Sequence, residues 1–186
     1  MVKLDKETTG ILVIDMQEKV MSKVERSCDT ALNALKLING ARILQMPIVA
    51  TEQYPEGLGK TIPAISAALN TPPLAKTTFS CMGNDAIQEV LNLPNWIIVG
   101  IEAHVCVLQT AKDLLEAGMN PVVLNDAISS RSIFDYSTAI AEMRDLGIRV
   151  SSVETVLFEL IKDSKHESFK QISNLIKCSE NSCSCG

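Results

Sequence analysis

The chain has 186 residues, 46% of them hydrophobic and 21% charged, a size and balance that suit one domain with a core of its own. A net charge of −5 at pH 7 and a pI of about 5.1 argue against a nucleic-acid or anionic-membrane binder, because either would need a basic face. No apolar run approaches the ~20 residues of a membrane span, and residues 1–7 are too polar for a signal peptide, so a cytoplasmic protein is expected.

The first apolar run, residues 10–15, predicts a strand that ends on the Asp15 carboxylate. Residues 31–45 carry Leu32, Leu35, Ile38 and Ile43 near helical spacing, with Gly40 weakening the pattern. Strands are predicted at 48–51 and, more weakly, at 74–79, and a helix at 84–93. The β-branched run 96–101 predicts a buried strand, and a helix over 105–117 stops at Gly118. A strand at 122–125, a helix over 132–146 closed by Gly147, a strand at 148–153 and helices at 155–162 and 168–177 complete the pattern. Several strands are apolar throughout rather than alternating, as in parallel sheets covered on both faces. The expected fold is therefore α/β: three-layer, Rossmann-like, with a mainly parallel six-stranded sheet and helices on both faces. One domain is expected over residues 1–178, followed by a polar, cysteine-containing and disordered tail at 179–186.

Cys28, Cys81 and Cys106 are spread through the body, whereas Cys178, Cys183 and Cys185 crowd into the tail. Without an export signal, these read mostly as free thiols in a reducing compartment. Cys106 is the exception. It follows the fourth strand and sits where a helix begins, so exposed N–H groups and the helix dipole are expected to stabilise its thiolate. If the strands carrying Asp15 and Cys106 are neighbours, nucleophile and base share the crevice at the point where strand order reverses. Lys76 is the third candidate. Taken alone it reads as a solvated surface lysine, but beside the other two it would hold a thiolate and pair with the carboxylate.

Other motifs carry less. Gly57-Leu58-Gly59-Lys60-Thr61 lacks the earlier glycine of a phosphate loop, where Tyr54 stands, and no dinucleotide fingerprint follows any strand. His104 lies too near Cys106 in sequence to serve as its base, and with only His166 beside it a metal site is not expected. The three tail thiols lack a fourth ligand. Ser130 or Ser132 is expected to cap a helix, and Arg131 either reaches the crevice or forms an ion pair. No cofactor is expected.

Five segments together support a family resemblance: Leu12-Val13-Ile14-Asp15-Met16-Gln17, the loop from Thr51 to Gly59, Lys76-Thr77-Thr78-Phe79-Ser80, the stretch from Gly100 to Cys106, and the stretch from Asp126 to Arg131. In this order and spacing, over nearly the whole chain, the sequence resembles the isochorismatase-like cysteine hydrolases, in particular the isochorismatase domain-containing proteins. The resemblance implies a doubly wound sheet, homo-oligomers, and a catalytic triad of Asp15, Lys76 and Cys106. It also implies a cis peptide at Ile101–Glu102, with the backbone N–H groups of Glu102 and Cys106 forming an oxyanion hole. The substrate would be a small molecule with an amide C–N bond. Where the family's nicotinamidases carry a metal-binding Asp-x-His after the second strand, this chain reads Thr51-Glu52-Gln53-Tyr54 with no histidine, so no catalytic metal is implied. Gln53 and Tyr54 are expected to line the substrate pocket instead. Two competing readings remain: a non-catalytic oligomer that binds a ligand or protein through the same pocket, and a redox sensor built on Cys106 and the tail.

Overall fold

Six short apolar runs assemble into one sheet in a computed structural model that describes residues 3–177. The tail placed at 179–186, with its thiol cluster, lies outside the described residues. In chain order the elements are β1 (Thr9–Ile14), α1 (Glu18–Met21), α2 (Ser27–Ile43), β2 (Ile48–Gln53), α3 (Pro55–Leu58), α4 (Pro63–Ala68), β3 (Leu74–Lys76) and α5 (Asp85–Val90). Then come β4 (Asn95–Ile101), α6 (Leu108–Glu116), β5 (Asn120–Ser129), α7 (Ile133–Asp145), β6 (Arg149–Ser151), α8 (Val153–Ile161) and α9 (Phe169–Lys177). The sheet order is β3-β2-β1-β4-β5-β6 and every pairing is parallel. The chain winds outward from β1 to β3, then crosses back to β4 on the other side of β1. The reversal between β1 and β4 opens a crevice at their carboxyl ends.

The central strands are buried on both sides, and alternate residues feed two cores. Ile11, Val13, Ile97, Val99, Val122 and Leu124 pack beneath α2, α4, α8 and α9. Leu12, Ile14, Trp96, Ile98 and Val123 face α5, α6 and α7. This period of two, apolar in both phases, explains why these strands read as continuous apolar runs.

Gly100 makes the close contact of β1 and β4 possible. Its φ is +130°, and a Cβ there would sit 2.0 Å from the Ile14 carbonyl oxygen. Gly40 does not weaken α2; it lets Leu157 of α8 nest against the helix, where a Cβ would lie 2.5 Å from a leucine methyl. Ser132, not Ser130, caps α7 by accepting from the Phe134 N–H at 3.2 Å.

Several elements differ from expectation. β5 continues to Ser129 through a bulge, with the polar pair Asn125-Asp126 accommodated inside it. The Asp126 carboxylate accepts from the Val153 N–H at the start of α8, and the Asn125 carbonyl accepts from the Tyr136 hydroxyl. β3 stops at Lys76 because the chain turns there, bringing the Thr78 and Phe79 carbonyls onto the Lys76 ammonium. Finally, α1, α3 and α4 are too short, at four to six residues, to show a period in sequence.

Candidate active site

β1 ends at Asp15, whose φ of +52° places it in the left-handed region that short polar side chains tolerate. Its N–H donates to the Thr51 carbonyl at 3.2 Å, so the turn is tied to the end of β2. The carboxylate is almost fully buried. Oδ2 accepts from Lys76 Nζ at 2.6 Å and Oδ1 accepts from Thr51 Oγ1 at 2.7 Å.

Lys76 overturns the surface reading that a lone lysine invites. It is 2% exposed, at the end of β3. Besides Asp15, its ammonium donates to Gln53 Oε1 at 2.8 Å, the Phe79 carbonyl at 3.0 Å and the Thr78 carbonyl at 3.2 Å. Four acceptors therefore share three N–H groups, and Lys76 is a fixed cation with no donor to spare. Gln53, expected in the pocket, commits both ends of its amide to protein: Oε1 to Lys76 and Nε2 to the Thr77 carbonyl at 2.7 Å.

Cys106 lies one strand away from Asp15, in a single π-helical turn, Ala103–Val107, that leads directly into α6. The turn sits at the carboxyl end of β4, the immediate neighbour of β1. Here the sequence expectation of a stabilised thiolate is corrected. Burial pushes the Cys106 thiol up to about 12. The negative charge of the Asp15 carboxylate raises it further, and the Lys76 cation opposes this only in part. Cys106 is 7% exposed and lies within the turn rather than at its open end, so desolvation outweighs the helix terminus. The resting site thus holds a neutral thiol beside a carboxylate–ammonium pair.

The opposite flank of Cys106 is braced by charge. The Ile101–Glu102 peptide is cis. The Glu102 carboxylate pairs with Arg131 Nε at 2.7 Å, which resolves the two readings of Arg131 in favour of an ion pair. His104 Nδ1 meets Ser130 Oγ at 3.0 Å, joining the thiol-bearing turn to the end of β5. Its other nitrogen lies 3.5 Å from Glu102 and 3.8 Å from Asp135.

Around the carboxyl ends of the strands, Tyr54 (after β2), Phe79 (after β3) and Phe134 (after β5) are 53%, 54% and 79% exposed. Two further residues hold the loop that carries Tyr54. Gln17 Nε2 donates to the Gly59 and Gln53 carbonyls at 2.7 and 3.0 Å, while its Oε1 accepts from the Gln53 N–H. Glu52 accepts from the Thr61 N–H at 2.7 Å and hydroxyl at 2.9 Å. Burial raises the Glu52 carboxyl, but these donors and Lys60 outweigh it and leave it below its ordinary value. Sequence reasoning assigned no role to Gln17, Thr51 or Glu52. The available signal was three polar residues in succession, Thr51-Glu52-Gln53, closing an otherwise apolar strand.

Among the described residues, no group of three or more His, Cys, Asp or Glu side chains could hold a metal ion. Nor is any helix there long and apolar enough to cross a membrane.

A six-stranded, doubly wound parallel sheet flanked by helices is the fold of isochorismatase-like proteins. The family model for the isochorismatase domain matches residues 9–155, and the chain belongs to that family. It is 39% identical over 178 residues to isochorismatase domain-containing protein 2 of Danio rerio, covering 94% of this chain and 89% of that protein. Among solved structures, a Caenorhabditis elegans protein described as MAR1 ribonuclease superposes with a TM-score of 0.91 at 40% identity, covering 96% of this chain and 94% of that one. The Escherichia coli YcaC gene product, described as an octameric hydrolase of unknown specificity, shares the fold with a TM-score of 0.88 at 23% identity, over 95% of this chain and 90% of that one.

Proposed function

We propose that the protein is a cysteine-dependent hydrolase that cleaves the C–N bond of a small amide through a thioester on Cys106. The observation that carries this reading is the buried Lys76–Asp15 pair, at 2.6 Å, whose charges act on the Cys106 thiol from the neighbouring strand end. A thiol this hard to ionise becomes a nucleophile only if its proton leaves as it attacks, and Asp15 is the group placed to take it.

The Cys106 S–H proton passes to Asp15 as sulfur bonds to the amide carbon. The backbone N–H groups of Glu102 and Cys106 receive the oxyanion. Collapse breaks the C–N bond while Asp15 returns its proton to the leaving nitrogen. Water then attacks the thioester, Asp15 takes the water proton, and that proton restores the Cys106 thiol. Lys76 holds Asp15 throughout and transfers nothing, since its three donors are engaged. Tyr54 and Gln53 border the substrate pocket, Gln53 through its grip on Lys76. No metal or cofactor enters the scheme.

The description of the C. elegans relative raises RNA as a substrate. A net charge of −5 offers no support for the phosphate contacts that RNA binding needs, so a small molecule is the better reading. We also place the protein in the cytoplasm as a homo-oligomer. The unpaired state of Cys28, Cys81 and Cys106 supports the first. Exposed Ile133 and Phe134 on α7, and the octamer described for the E. coli neighbour, support the second.

The test is a panel of small amides and imides, read by release of the acid and of the leaving ammonia, amine or amide, and by mass spectrometry of the Cys106 peptide. Turnover should be accompanied by a trappable acyl group on Cys106, and Cys106→Ala should lower it by more than about 10³-fold without unfolding the chain. Turnover that persists in Cys106→Ala would overturn the reading.

A further inference from the structure

Lys76 alone does not fix Asp15. The carboxylate has two oxygens, and Thr51 Oγ1 donates to the second at 2.7 Å. Thr51 is buried, and its carbonyl also receives the Asp15 N–H, so one residue grips Asp15 through both backbone and side chain. The hydroxyl has a buried neighbour of its own. Cys81, fully enclosed at the start of the 3₁₀ turn Cys81–Gly83, directs Sγ toward Thr51 Oγ1 at 3.9 Å. Its backbone N–H is held by Thr110 Oγ1 at 3.0 Å. Burial pushes the Cys81 thiol up to about 11, so it carries its proton at neutral pH. A hydroxyl has one proton to give. With the Cys81 thiol donating to the Thr51 oxygen, that proton is left for Asp15. The order of donation runs one way: Cys81 to Thr51 to Asp15.

We propose that Thr51 is a positioning residue of the hydrolase site, and that Cys81, a thiol the mechanism does not consume, fixes the direction of the Thr51 hydroxyl. With Lys76 on one oxygen and Thr51 on the other, the carboxylate plane cannot swing, and Asp15 meets the Cys106 proton in a single orientation. Proton transfer in the attacking step depends on that alignment. The inference rests on the hydrolase reading of this site.

The experiment uses the full chain and p-nitrophenyl acetate as acyl donor. Acylation of Cys106 is followed as the p-nitrophenolate burst and by mass spectrometry. Thr51→Val keeps the shape and removes the hydroxyl. The acylation rate constant at saturating ester should fall by about 10–100-fold, with the half-saturating concentration little changed. Thr51→Ser, which restores the hydroxyl, should return the rate to within about twofold, whereas Cys81→Ala, which removes the thiol beside that hydroxyl, should slow acylation by about 3–10-fold; acylation of Cys81→Ala at the wild-type rate overturns the role given to Cys81.

A purely structural Thr51 would lower the melting temperature of Thr51→Val and leave acylation of the folded protein at the wild-type rate, and that result overturns the proposal. So does a Thr51→Ser variant slower than wild type by about 10-fold or more although it keeps the hydroxyl, which would place the effect in methyl packing and can be read whether or not Thr51→Val folds. Cys106→Ala separates the two levels. If it keeps the burst, the hydrolase reading falls and the role of Thr51 with it. If it loses the burst while Thr51→Val keeps it, only the present proposal falls.

Discussion

Two carboxylate–cation pairs in this molecule use similar groups in different surroundings. Lys76–Asp15, in the crevice, is buried and saturated with further hydrogen bonds. Arg149–Glu159 joins β6 to α8 at the far edge of the sheet, with both side chains 27% exposed. The inner pair has to overcome the loss of water around two ions, and it does so only because every remaining donor and acceptor finds a partner. The outer pair gives up little hydration and gains correspondingly little. On the hydrolase reading proposed above, the inner pair acts on Cys106, whereas the outer pair ties an edge strand to a helix.

The largest effect should come from breaking the inner pair on one side only. Lys76→Met strands the Asp15 carboxylate and leaves Gln53 Oε1 and two carbonyls without their shared donor. Denaturant unfolding at pH 7 should show a loss of about 3–5 kcal/mol. A loss below about 1 kcal/mol would mean that water reaches the pair. Next in size is the coupling within each pair, read by double-mutant cycles. Asp15→Asn with Lys76→Met should destabilise less than the two single changes added together, by about 1–3 kcal/mol. The same cycle on Arg149 and Glu159 should give under about 1 kcal/mol. Equal couplings would erase the distinction drawn here.

Legibility in the sequence divides along the same line. Asp15 and Cys106 could be read because the one closes an apolar run and the other follows one, and in a doubly wound sheet the ends of such runs meet at the switch point. Lys76 was legible only through family resemblance. Its local sequence is that of a surface turn, and what buries it is the fold-back of Thr78 and Phe79 onto its own ammonium. Thr51 and Gln17 were not legible, because their value lies in partners 36 and 42 residues away, as in the Thr51–Asp15 and Gln17–Gly59 bonds. The thiolate expected at Cys106 failed for a related reason. The sequence placed a helix start nearby, but only the packed structure shows how completely the turn is desolvated. Asn125-Asp126 misled in the opposite sense, reading as a strand end when Val153 and Tyr136 satisfy them inside β5.

The smallest effect belongs to Glu159. The hydrogen bond from Arg149, first, and the bond from the Leu4 N–H at 3.2 Å hold its carboxyl below the ordinary 4.5. In the unfolded chain that proton binds at a higher pH than in the native protein. The unfolded state therefore takes up more protons in the interval between, and stability rises with pH across it. The contribution is fully present above about pH 4.5 and disappears as pH falls through the lower native value. Glu159→Gln should cost about 1 kcal/mol at pH 7, after allowance for solvent screening. The difference between variant and wild type should shrink below pH 4.5. Asp126 has the reverse sign. Burial, first, raises its carboxyl in spite of the bond from the Val153 N–H, so its contribution weakens as pH rises through the acid range. Denaturant unfolding of Glu159→Gln and Asp126→Asn between pH 3 and pH 7 should therefore give differences from wild type that slope in opposite directions. Parallel slopes would mean that Glu159 is not held by Arg149 in solution, and that the edge pair does not tie β6 to α8.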